Sequence, residues 1–180
     1  MSIVAAESLF EDIAAGAASE SPLWAGALRP AAERELLPVF SPLVGDSRFA
    51  LGVETIYEGY LLHYGGARLF APDDDDVALL LGDALLAHGL VRIASTGSVD
   101  AVADLAALLS LCTQARADGR PGDGPAWAAT SALLGRGGLD EARAALRDRG
   151  DARPLEQLAR AAAGDDAVDA ALVAHAARLR

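Results

Sequence analysis

Lysine and asparagine are absent from this 180-residue chain, so all 15 basic side chains are arginines, set against 26 Asp and Glu for a formal net charge of −11. Such a balance repels phosphate backbones and anionic membrane surfaces, and nucleic acid is therefore not an expected partner. Cys112 is the single cysteine. No internal disulfide is possible, and its place in the apolar run Leu108 to Cys112 reads as a small buried hydrophobe rather than a reactive thiol. No uninterrupted apolar run approaches the roughly 20 residues needed to cross a bilayer, which predicts no membrane insertion. Near the start, Glu7, Glu11 and Asp12 stand where a secretory signal would have a basic segment and an unbroken apolar one, so these residues read as part of the fold and the cytoplasm as the expected location. The nucleophile elbow, the phosphate-binding loop, the H-E-x-x-H helix and the dinucleotide fingerprint are all missing, which leaves nucleophilic and nucleotide chemistry without support.

What remains is 52% hydrophobic and 23% charged, too apolar for a disordered chain and long enough to bury a core. The alanine richness beside missing Lys and Asn resembles a GC-rich coding bias, so it carries little weight by itself. Ala, Leu, Arg and Glu fill segments separated by Gly, Pro, Asp and Ser, and strand-like alternation is never sustained. That pattern predicts an all-α protein, with helices over 3–15, 22–37, 47–65, 75–95, 98–117, 125–135, 138–148, 154–163 and 165–178. Gly65, Gly66, Gly97 and Gly150 fall where helix C-caps are needed, and Ser98 at an N-cap. The stretch Val77 to Ile93 is apolar nearly all round, which predicts a central helix, about 75–95, enclosed by a compact bundle. Asp118 to Pro125, with two prolines and three glycines, reads as a linker between a main bundle (1–117) and short C-terminal helices (126–180) packed on it. Gly138 to Leu146 is faintly similar to a tetratricopeptide helix, but no second copy follows.

The polar candidates are few. Four adjacent acids, Asp73 to Asp76, have the oxygen ligands for a hard cation, but their position before an apolar helix favours capping and compensation of the helix dipole. On the third helix Glu54 and Glu58 share a face beside a stripe of Tyr57, Tyr60 and Tyr64, a surface that could line a pocket. A di-iron centre is not expected, because the E-x-x-H spacing of such bundles is absent. Asp83 stands within the most apolar helix, where a carboxylate needs a partner, with Arg68 and Arg92 as candidates. His88 lies farther along that helix, but histidines at 63, 88 and 175 show no metal-ligand spacing. No metal is predicted.

Leu79 to Leu111, through Gly82, Asp83, Leu85, Leu86 and Ala87, resembles the middle of trans-type polyprenyl diphosphate synthases, where a similar GD-x-LL-A sequence opens a helix, turn and helix. The resemblance implies an all-helical bundle around an apolar cavity. In that family two aspartate-rich motifs hold Mg²⁺ on the diphosphate; here both are missing, since Val77 stands four beyond Asp73, and only Asp83 carries over. The reading is therefore a non-catalytic helical bundle without a cofactor, binding an apolar ligand or a protein partner, which includes a homodimer. Two alternatives stand beside it. One is a divergent Mg²⁺-dependent prenyl-diphosphate enzyme or subunit, using the acids near Asp73 with Glu54, Glu58 and Asp83; the other is a helical adaptor that docks partners through its C-terminal helices.

Overall fold

The computed structural model describes residues 3–179, with side chains from Glu7 onward. Among the described residues it is all-α: α1 (Ile3–Glu20), α2 (Pro22–Gly26), α3 (Ala50–Tyr64), α4 (Asp75–Ala94), α5 (Val99–Ala117), α6 (Asp123–Ala132), α7 (Asp140–Arg149), α8 (Arg153–Ala163) and α9 (Asp165–Ala176). Among the described residues, pairing of extended backbone is confined to two isolated bridges, Leu28 with Phe70 and Gly65 with Leu179. The chain divides into two compact units, one of residues 1–38, 51–92 and 178–180, the other of 39–50 and 93–177.

In the first unit α3 and α4 run antiparallel with their backbones in close approach, and the cause is visible in the sequence as two glycine pairs. A Cβ on Gly59 would lie 2.7 Å from the Gly82 carbonyl oxygen, and one on Gly89 would lie 2.8 Å from that of Gly52. Side chains at Gly59 and Gly89 would push the helices apart, so glycine at these two positions sets the interhelical distance. Arg92 ties the arrangement to α1, donating to Thr55 Oγ1 on α3 and to the Asp12 carbonyl. After α2 the expected helix over 22–37 does not continue. Pro30 sits at φ −49°, ψ 141° and interrupts it. The extended chain there pairs with the segment after α3 instead: Arg29 N donates to Leu69 O at 2.9 Å and Ala71 N to Ala27 O at 2.8 Å.

The enclosed helix of this unit is α3, where every residue from Gly52 to Leu61 is buried. The prediction that α4 is surrounded on all sides is corrected. Only 28% of its most apolar window is buried, and Leu79, Leu80 and Val91 are 52%, 57% and 66% exposed. Its buried side, with Leu81, Gly82, Leu85 and Gly89, meets α3; the opposite side, with Leu80, Asp83, Ala87 and Val91, is open. All-round hydrophobicity reports which faces tolerate burial, and here neighbours cover only one of them.

In the second unit the enclosed helix is α6, with Ala126 to Ala129 at 0% exposure. Trp127 stacks on Phe40, their ring centroids 5.3 Å apart, and His175 of α9 meets the other edge of Phe40 at 5.4 Å. Asp104 on α5 accepts from Gly135 N and from Arg143 of α7, fixing the loop between α6 and α7. The segment read as a linker, 118–125, is a turn between α5 and α6 within this unit, and Asp123 to Pro125 form the first turn of α6. Gly150 closes α7 in the left-handed conformation at φ 68°, and Ser98 caps α5 through Ala101 N, both as the sequence predicts.

Candidate functional site

One turn apart on α3, Glu54 and Glu58 point to the same side, and the chain after α3 returns along that side to place Arg68 between them. The Arg68 guanidinium donates to Glu54 Oε2 at 2.6 Å and to Glu58 Oε2 at 2.9 Å, and all three side chains are fully buried. Glu58 Oε1 also accepts from Leu69 N at 2.7 Å, and Arg68 reaches the Leu37 carbonyl at 3.0 Å. The rings of Phe10 and Tyr57 lie against the guanidinium, 4.7 and 5.0 Å from its carbon. Burial works against the charged guanidinium, but the two carboxylates outweigh it and hold its pKa above the ordinary arginine value. Burial also pushes the Tyr57 phenol well up, against the pull of Arg68, so the hydroxyl stays protonated. Both carboxylates are thus spent on one cation and one backbone amide. The cluster is an ionic clamp joining α3, the 66–71 segment and Leu37, and its acids face no solvent from which a substrate could be taken.

The remaining candidates are not brought to this cluster. Tyr57, Tyr60 and Tyr64 form a run of neighbouring rings, with centroids 6.4 and then 4.8 Å apart. Tyr57 and Tyr60 are 0% and 1% exposed, so these two rings are packed interior, with half-buried Tyr64 at the end of the stripe. Asp83, expected in the dry interior with Arg68 or Arg92, is instead 73% exposed and faces His63 Nε2 at 3.2 Å. The correction has a simple cause: Asp83 lies on the side of α4 turned away from Gly52 and Gly59, and the two arginines are engaged elsewhere. His88, about one-third exposed, pairs with Glu20 at 2.7 Å and shares no site with Asp83. In the acidic run, Asp74 accepts from Asp76 N and Val77 N and so caps α4. Among the described residues no group of three or more His, Cys, Asp or Glu is disposed to hold a metal ion. The Cys112 thiol is fully buried, and burial raises its pKa well above the usual value, which makes it a poor nucleophile.

Sequence reasoning missed the open surfaces. Leu79, Leu80 and Val91 make an exposed apolar face on α4. Toward the N-terminus of α4, Val77 borders a hollow of about 220 Å³ that it lines with Leu23 and Pro72. In the second unit a groove of about 600 Å³ runs between α7 and α8, floored by Ala142 and Ala145, walled by Leu158 and Ala161, with Glu141 and Arg149 on its α7 side. Its signal in the sequence was the periodic Ala-Arg-Leu pattern of the C-terminal helices, which suggests small contact faces without saying which stay uncovered. No family model, no curated protein and no solved structure matches this chain.

Proposed function

We propose that this chain is a non-catalytic helical domain that binds a protein partner through the outward face of α4. The observation that carries the reading is the exposure of Leu79, Leu80 and Val91 along one helix whose opposite side is fixed to α3 at Gly82 and Gly89. Large apolar side chains left exposed on one side of a helix mark an interaction site, because leaving them in water costs roughly 25 cal/mol per Å². Protein is favoured over a small apolar ligand because the face is open and elongated, while the tyrosine stripe that might have lined a cavity is closed by its own rings. The reading as a prenyl-diphosphate enzyme draws no support from the placement of its residues: Glu54 and Glu58 are committed to Arg68, and Asp83 lies in solvent with His63.

A photo-crosslinking side chain at position 87, in the middle of the face, tests the proposal in the cells that make the protein. The expected result is one defined protein adduct that disappears in the Leu80→Asp/Val91→Asp variant. Adducts no stronger than those from the same probe at exposed Asp148, or adducts indifferent to the double substitution, would overturn it.

A further inference from the structure

We infer that the partner is a second copy of this chain, and that its α7–α8 groove receives the outward face of α4. The inference rests on the proposed use of α4 and adds the surface that meets it. The two surfaces are opposite in relief. The α4 face presents large side chains, Leu79, Leu80 and Val91, whereas the groove is floored by alanines 142 and 145 and bordered by Ala161. At about 600 Å³ it falls within the range, roughly 300–1,000 Å³, of hollows that enclose a ligand the size of several side chains. An apolar helix face laid into such a groove is a recurrent mode of recognition.

Charge selects the same pairing. Asp83 is the one acid in the middle of the outward face, and with 73% of its side chain exposed it has room for a cation. Nearly every other arginine of the second unit holds an acid of its own: Arg116 pairs with Asp123, Arg143 with Asp104, Arg147 with Asp148, Arg153 with Asp151 and Arg160 with Glu156 and Asp169. Arg149 makes no ion pair within 4.0 Å among the described residues, acts only at longer range on Asp151, and borders the groove. The spacing agrees. Val91 lies two turns beyond Asp83, and Ala142 lies two turns before Arg149. An antiparallel helix with Asp83 over Arg149 therefore sets Val91 above Ala142, with Ala87 above Ala145 between them. A face-to-face pairing of two α4 helices offers none of this, because each copy would bring Asp83 into the seam without a cation; Arg92 is turned toward Thr55 and Asp12. Since face and groove are different patches, each contact joins unlike surfaces of two copies, and every copy carries one of each.

Sedimentation velocity of the full-length protein over a range of concentrations tests the inference, with two variants at exposed positions: Val91→Asp, which spoils the face where it meets Ala142, and Ala161→Trp, which fills the groove. Wild type is expected to self-associate, and each variant alone to associate at least about tenfold more weakly, the loss usual for a central contact. Mixed together, the two are expected to form a one-to-one pair and stop there, because one intact face meets one intact groove. A mixture that stays monomeric overturns the inference, as does wild type that stays monomeric throughout. If Ala161→Trp associates like wild type and Val91→Asp does not, the groove is wrong while the α4 reading survives. Thermal melts report whether each variant is folded. Should Ala161→Trp unfold, the same mixing is done with Asp83→Arg and Arg149→Asp, where each alone is weakened and only the mixture recovers.

Discussion

Arg68 is the residue on which the interior of the first unit depends. Two buried carboxylates converge on its one guanidinium, so its removal leaves both without a counter-charge in a site that water does not reach. Arg68→Ala is expected to destabilise the protein by about 3–5 kcal/mol in urea unfolding, whereas replacing all three residues together with Met and Leu costs less, because no orphaned charge remains. A loss from the triple variant equal to that of the single one would mean that the clamp acts through packing. On the surface, Asp151 shows the opposite balance. Hydrogen bonds from the Arg153 side chain and backbone lower its pKa from 3.8 to about 2. Its contribution is therefore complete above pH 3.8 and is lost as the pH falls through about 2, and Asp151→Asn is expected to flatten that part of the stability profile. Single-residue chemistry was legible where it was local. Capping by the Asp73 to Asp76 run, the Ser98 cap and the buried Cys112 were read from their immediate neighbours. The partner of Glu54 and Glu58 was not, because Arg68 reaches them only after the chain has turned.

Helices α3 and α4 invert what their compositions suggest. The more apolar helix is half exposed, and the one with two glutamates is enclosed, because Arg68 neutralises those acids and α4 is covered only where α3 approaches. Hydrophobic pattern shows what burial a helix tolerates, and the fold decides which of two candidates is buried. The glycines that decide it here were read only as helix residues. Gly59→Ala would ordinarily stabilise a helix by about 1 kcal/mol. At 2.7 Å from the Gly82 carbonyl its new Cβ must push the helices apart, so the net expectation is a loss of about 1–3 kcal/mol. Gly26, with nothing within 4 Å of its would-be Cβ, is the control, and its alanine variant is expected to be neutral or slightly stabilising. Equal melting shifts of one sign at both positions would refute the close approach.

At the scale of the molecule, the all-helical class was fully legible, since Gly, Pro and Ser punctuation between Ala-Leu-Arg-Glu segments leaves little room for another. The division of the chain was not. The C-terminal helices read as a set packed on a bundle of residues 1–117 across a Gly/Pro-rich linker, whereas α6 is the interior of the second unit, with Trp127 stacked on Phe40. Truncation after residue 117 is accordingly expected to unfold residues 93–117 as well, measured by loss of hydrogen-exchange protection in α5, rather than to release a folded bundle. An adaptor whose tail could be removed without that loss would require a different packing. The wider account stands on one structural claim, that the side of α4 bearing Leu80 and Val91 is presented to solvent while its neighbour Leu81 is not. Thiol labelling of dilute protein tests it most directly, with buried Cys112 giving a silent background. Leu80→Cys and Val91→Cys are expected to react nearly as fast as an unstructured peptide, and Leu81→Cys to remain unlabelled. If positions 80 and 91 are as slow as 81 in the dilute protein, α4 is enclosed on all sides and has no face to offer a partner.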